Sequence, residues 1–228
     1  MARILLIETS TSCLSVALAE DGRVVADRVC TQPRQQASLT APLVKEILDS
    51  QGIGMKDCDA VCVSKGPGSY TGLRVGVSTA KGLAFGAGIP LLSVGTLEVL
   101  AAQGAAGRMD GCRWIVPMVD ARRMEVYTAV FSPEGKQVTE VRPLVVDADS
   151  FAGRLADGPV LFIGDGALKC RETLSSPNAF FRDAAPLASA MAPLAEAAYN
   201  EKRFEDVAYF EPFYLKEFVA TVSRKKLF

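Results

Sequence analysis

Gly66-Pro67-Gly68-Ser69-Tyr70-Thr71-Gly72-Leu73-Arg74 stands directly after a short apolar run, Ala60 to Val63, and opens onto a helical stretch, Thr71 to Phe85. Apolar run, glycine-rich turn and amphipathic stretch in that order are the mark of strand, turn and helix in an α/β fold. Such a turn can aim successive backbone N–H groups and the positive end of a helix at an anion, which makes it a candidate phosphate cradle. No Lys-Ser or Lys-Thr follows the last glycine and Lys65 precedes the turn, so it is not a P-loop. A purely structural turn is the competing reading.

Working outward, the segments on either side repeat. Ile4 to Ile7, Leu14 to Ala19 and Val24 to Val29 read as a three-stranded meander with a turn at Asp21-Gly22. Ile115 to Val119, Val126 to Phe131 and Val138 to Val146 read as a second meander, broken at Asp120-Ala121-Arg122-Arg123 and turning at Glu134-Gly135. The spacing from Glu8 to Gly22 matches that from Asp120 to Gly135 within one residue, as a duplicated unit requires. The expected organisation is therefore an N-terminal lobe over 1–108, a C-terminal lobe over 109–216 and a tail over 217–228. The second half continues with Val160 to Ile163, Gly164-Asp165-Gly166, a short helix over Leu168 to Leu174 and a longer one over Leu187 to Lys202.

Two helices lie between the meanders. Ser38 to Gln51 carries Leu39, Leu43, Val44, Ile47 and Leu48 on one face, with Ser38 as the expected N-cap and Gly52 as the stop. Thr71 to Phe85 carries Gly72, Gly76, Ala80 and Ala84 at four-residue intervals. That nearly bare face suits close approach of another helix, from a partner, or of the chain's own sheet.

Composition narrows the chemistry. The 228 residues are 49% apolar and carry a formal charge of −1, so there is material for two cores and no overall basic field to hold nucleic acid. There is no histidine, which removes the commonest general base and the commonest metal ligand. The six cysteines are scattered and complete no zinc spacing, so they read as reduced and mostly buried. Four apolar residues before Glu8 are too few for a signal segment and no run reaches membrane length, from which a cytoplasmic protein with no membrane contact is expected. The basic cluster Arg224-Lys225-Lys226 near the end is a frayed terminus or a docking peptide.

Glu8, Asp120 and Asp165 each end or interrupt an apolar strand, a position that in a two-lobed protein faces a cleft. With Thr9, Ser10, Gly164 and Gly166 they form the candidate nucleotide site, where three acids could hold hydrated magnesium or merely cap turns. No serine or cysteine has an evident base beside it, so no catalytic residue is assigned. Arg122 and Arg123 suit phosphate or carboxylate recognition, or a surface ion-pair cluster.

Taken together, these segments resemble the bacterial TsaB (YeaZ-like) family, a partner subunit in threonylcarbamoyl modification of tRNA adenosine beside the anticodon. The resemblance is carried by Ile7-Glu8-Thr9-Ser10-Thr11 with Leu14-Ser15-Val16-Ala17-Leu18, by the turn through Gly76 with Ala80-Lys81-Gly82-Leu83-Ala84, by Asp120-Ala121-Arg122-Arg123 with Glu125-Val126-Tyr127, by Gly164-Asp165-Gly166, and by Pro212-Phe213-Tyr214-Leu215-Lys216. Glu8 stands where the family usually has an aspartate, and Ala37 where it often has a histidine. The resemblance implies the actin-like, Hsp70-like ATPase (ASKHA, ribonuclease H-like) fold with two duplicated lobes. It also implies a non-catalytic activator: the metal-binding histidine pair of the paralogous subunit TsaD would fall at Ser93-Val94-Gly95-Thr96-Leu97-Glu98.

The partners it implies are a TsaD-like catalytic subunit, a TsaE-like ATPase, a second copy of itself when alone, and tRNA only within the complex. No cofactor is required, with weak ATP or ADP plus magnesium as the candidate ligand. Partner binding is expected at Leu39, Leu43, Ile47, Gly72, Leu73, Gly76, Ala80 and Ala84. The alternative is a stand-alone ATPase or small-molecule kinase of the same fold, against which the short chain argues. A peptidase lacks a visible nucleophile and base.

Overall fold

The computed structural model describes residues 2–107 and 109–216. The first meander is β1 (Arg3–Glu8), β2 (Leu14–Glu20) and β3 (Arg23–Cys30), all antiparallel. Helix α1 (Gln36–Gln51) follows, then β4 (Ala60–Ser64), α2 (Tyr70–Ala87), β5 (Leu91–Val94) and α3 (Thr96–Ala106). β4 adds parallel to β1 and β5 parallel to β4, giving the order β3-β2-β1-β4-β5.

The second sheet reproduces this plan. β6 (Trp114–Asp120), β7 (Glu125–Thr128) and β8 (Arg142–Val145) form the antiparallel meander, and β9 (Val160–Ile163) and β10 (Ala179–Arg182) add in parallel. Its order, β8-β7-β6-β9-β10, is that of the first sheet position for position. The duplication expected from acid-to-turn spacing is thus present in the topology. The connecting elements differ: α4 (Ala152–Asp157) is a short stand-in for α1, and where α2 should recur there is one 3-10 turn, Leu168–Cys170. The helix expected over Leu168 to Leu174 is therefore shorter, and the long one over Leu187 to Lys202 divides into a 3-10 turn, Ala188–Met191, and α5 (Ala192–Asn200), with Pro193 in its first turn.

β1 shows why the first sheet is central. Its residues alternate between two cores, Ile4 and Leu6 facing one and Leu5 and Ile7 the other, and all four are essentially inaccessible. Each contributes about 2 kcal/mol by burial. The Leu5 side is closed by α1 and α2, through Val44, Ile47, Leu48, Val77, Ala80 and Ala84. The Ile4 side is closed by Ala188, Met191, Ala192, Ala195 and Ala198, which belong to the 3-10 turn and α5. That corrects the expected lobe boundary: the second lobe does not extend from 109 to 216, because the chain returns to the first sheet before residue 188. From there Glu205 bridges to Leu91, and Val207 and Phe210 pack on the α1–α2 side. Helix α3 joins the two halves, placing Val99 in the first sheet's core and Leu97, Leu100 and Ala101 against Ile115 and Leu161 of the second.

Two boundaries, one in each lobe, also differ from expectation. Helix α1 begins before Ser38, whose hydroxyl bonds back to the Gln35 carbonyl instead of capping, while Gly52 does close the helix in the left-handed conformation. Val126 to Phe131 is strand only to Thr128, after which Phe131 makes isolated bridges to Ile115 and Gln137. The tail from 217 lies outside the described residues.

Candidate functional site

The glycine-rich turn is built against the end of β1. Ser69 caps α2, its Oγ accepting the Gly72 N–H at 3.3 Å, and its own N–H donates to the Ser10 carbonyl at 2.6 Å. Thr9 Oγ1 donates to the Gly72 carbonyl at 2.8 Å. A Cβ on Gly72 would lie 2.1 Å from the Thr9 carbonyl oxygen, and one on Gly76 2.1 Å from Thr9 Oγ1. Glycine at these two positions is what lets α2 lie directly on the β1 end.

This corrects the expected use of the bare face. Gly72, Leu73, Gly76, Ala80 and Ala84 are all buried, as is Ile47, while Leu39 and Leu43 pack half-buried on the same core. The small side chains bring helix and sheet together within the chain, so these residues offer no open groove to a partner. The opposite face of α2 is open instead. Phe85 is 81% exposed, and Gly82, Leu83, Gly86 and Ala87 line a groove of about 360 Å3 with Met55 and Lys56 of the 3-10 turn Met55–Asp57. The sequence reading missed this face, although Phe85, a large apolar side chain on the same exposed face as Thr71, Arg74 and Ser78, was its visible signal.

The same seating closes off the first half of the candidate nucleotide site. Glu8, Thr9 and Ser10 each have 0% exposure. Glu8 Oε1 accepts the Ser10 N–H at 2.6 Å, whereas Glu8 Oε2 and Ser10 Oγ lack a partner among the described residues. Burial pushes the Glu8 carboxyl up to about 7, against the bond from the Ser10 backbone that lowers it. Nearby, Ser64 and Thr96 share a 2.8 Å hydroxyl bond at the ends of β4 and α3.

The second half lies at the β6–β7 connection. Asp165 Oδ1 accepts the Asp120 N–H at 2.9 Å, and its carboxyl is raised first by burial. Asp120 pairs with Lys169, whose Nζ also donates to the Glu125 carbonyl at 2.6 Å, so a lysine ammonium already neutralises the acid. Gly164 and Gly166 fold tightly over the Met118 carbonyl. The structure thus joins Asp120, Gly164, Asp165 and Gly166 in one cluster and Glu8, Thr9 and Ser10 in another, and gives no hydrogen bond between the two. Lys216, the last described residue, joins this region, pairing with Glu125 and lying 5.8 Å over the Tyr127 ring. Two residues earlier Tyr214 meets Tyr70 of the glycine-rich turn, ring centres 4.8 Å apart.

Comparison with known proteins gives this architecture its relatives. The family model described as "TsaD: tRNA N6-adenosine threonylcarbamoyltransferase" matches residues 31–223. The tRNA threonylcarbamoyladenosine biosynthesis protein TsaB of Escherichia coli is 34% identical, with 96% of each chain covered. The protein of the same name from Haemophilus influenzae is 31% identical over 98% of this chain and 96% of its own. The solved structure of YeaZ from Pseudomonas aeruginosa superposes with a TM-score of 0.81 at 27% identity, covering 94% of this chain and all of that one. The fold is accordingly the two-lobed, actin-like α/β fold of that structure, and by sequence over nearly its whole length the chain belongs to the TsaB (YeaZ) family.

Proposed function

We propose that this chain is the non-catalytic activating subunit of a tRNA threonylcarbamoyltransferase complex, pairing with a TsaD-like catalytic subunit and served by a TsaE-like ATPase. The observation that carries the reading is the end-to-end identity with proteins named for tRNA threonylcarbamoyladenosine biosynthesis. A chain with no histidine, whose Glu8 is buried and whose Asp120 is bound by Lys169, supports a binding role over turnover. For the same reason no nucleotide is required in its own cleft. Pairing, with TsaD or with a second copy, uses the outer face of α2, where Phe85 and the Gly82–Gly86 groove are open. A stand-alone ATPase or kinase is not favoured, since no relative reported above carries such a name.

The deciding experiment measures threonylcarbamoyladenosine on tRNA with purified TsaD, TsaE, ATP and threonylcarbamoyl-adenylate, with and without this chain. Product that depends on the chain is the expected result. Equal product in its absence, with partners from the same cell, would overturn the reading.

A further inference from the structure

The connection between β6 and β7 holds two arginines in a conformation that arginine seldom adopts. Arg122 has φ 72° and Arg123 φ 51°, consecutive left-handed residues in a chain whose β2–β3 turn places the permissive Asp21-Gly22 at the same kind of position. Strain of this kind persists only where its surroundings impose it. Here they do. Asp120 Oδ1 accepts the Arg122 N–H at 2.9 Å, the Ala121 N–H donates to the Glu125 carbonyl at 3.1 Å, and Glu125 N–H donates to the Arg122 carbonyl at 3.1 Å. Lys169 spans both ends of the loop by bonding Asp120 and the Glu125 carbonyl, and Asp165 fixes the Asp120 N–H from below.

The charges that surround the pair are already spent. Asp120 is neutralised by Lys169 and Glu125 by Lys216, and Asp165 is engaged with the Asp120 backbone. Both guanidinium groups are exposed, and neither has a hydrogen bond, ion pair or ring contact among the described residues. The loop backbone is therefore a braced mount for two adjacent, uncommitted positive charges. Guanidinium pairs of this kind fit phosphate oxygens.

We propose that Arg122 and Arg123 bind the phosphate backbone of tRNA in the assembled complex. The inference rests on the reading under Proposed function and adds to it a direct contact between this chain and the RNA. It agrees with a net charge of −1, because two local charges supplement a site made elsewhere without binding RNA alone.

The test uses the full chain with its TsaD and TsaE partners and compares wild type with Arg122→Gly/Arg123→Gly and Arg122→Lys/Arg123→Lys. Glycine removes both charges while relieving the backbone, so that variant is expected to melt higher than wild type and cannot fail through strain. The complex carrying it should bind tRNA roughly 10-fold more weakly and lose about 1.5 from the slope of log affinity against log salt. Its KM for tRNA should rise with kcat unchanged, and assembly with TsaD on size exclusion should be intact. The lysine pair should restore most of the affinity, since a point charge also serves phosphate. An unchanged salt slope, or loss of assembly without tRNA present, overturns the proposal, the second outcome assigning the arginines to a protein carboxylate. Failure of the wild-type chain to stimulate product would instead refute the underlying reading, so the two failures are separable.

Discussion

Glu8 and Thr9 show how one short segment sets both stability and chemistry. Because the Glu8 carboxyl is fully buried and raised to about 7, the folded state keeps its proton over a range where the unfolded chain has lost it. Stability is unaffected well below the unfolded value, falls as pH rises from about 4.5 to about 7, and levels off above that, the accumulated cost being about 3 kcal/mol. Glu8→Gln, which cannot ionise, should match wild type near the acid end and be more stable by about 2–3 kcal/mol at pH 8. Denaturant unfolding across that range checks it, and a difference that does not change with pH would refute the burial argument. Thr9 makes a second residue-scale prediction. Gly72→Ala places a methyl 2.1 Å from the Thr9 carbonyl oxygen, a backbone atom that cannot swing aside, so the variant should lose about 2–3 kcal/mol or more despite alanine's better helix propensity. A Gly72→Ala protein as stable as wild type would mean that α2 does not rest on this carbonyl.

Helix α2 was the most legible element and also the one whose meaning was misread. The glycine-rich turn and the helix over Thr71 to Phe85 were read from the sequence, two residues short of the stop that Gly88 makes and without its Ser69 cap, and its neighbours β1, β2 and β4 followed from continuous apolar runs. What periodicity cannot say is which neighbour a small-residue face touches, because helix-on-helix and helix-on-sheet packing both reward glycine and alanine. The threonine that fills the Gly76 notch is 67 positions away in the sequence, and only the closed fold brings it there. The two faces now predict opposite outcomes. Gly76→Leu would be forced into Thr9 and should unfold the lobe, observable as loss of a cooperative thermal transition. Phe85→Asp alters a side chain that is 81% exposed and should leave the melting temperature within a few degrees while weakening association with TsaD or with a second copy by at least 10-fold. Undiminished association of Phe85→Asp by calorimetry would remove the outer face of α2 from consideration. β5 and α3 went unread for a related reason: the four-residue β5 is fully buried, and α3 is apolar on almost every side because it lies between the two cores.

At the scale of the whole molecule, the repeat was readable but the path of the chain after it was not. Duplication shows itself in matched strands, whereas the return of α5 to the first sheet leaves no local pattern beyond an alanine-rich helix. Its consequence is that residues 203–216 cross the first lobe before reaching the second. Glu205 pairs with Leu91 and accepts from Ser93 Oγ at 2.5 Å, Lys81 Nζ donates to the carbonyls of Ala208 and Phe210 at 3.2 and 2.9 Å, and the Phe213 N–H donates to the Lys65 carbonyl at 2.7 Å. Lys216 then fastens on Glu125, beside the loop that carries Arg122 and Arg123. This segment has little secondary structure of its own, so a few backbone and side-chain bonds hold it, and Lys81 from α2 serves two of its carbonyls at once. Lys81→Ala should therefore cost about 1–2 kcal/mol and, more specifically, speed amide exchange at residues 205–213 while leaving β9, on the far sheet, as protected as before. Lys216→Ala, whose ion pair is partly exposed, should cost under about 1 kcal/mol but loosen Glu125 to Tyr127. If exchange in the strap were unchanged by Lys81→Ala, its path would be held without that lysine, by the Glu205 and Phe213 bonds, the packing of Val207 and Phe210, and the Tyr70–Tyr214 contact, and the link from α2 to the loop of the second lobe would run through the aromatic pair.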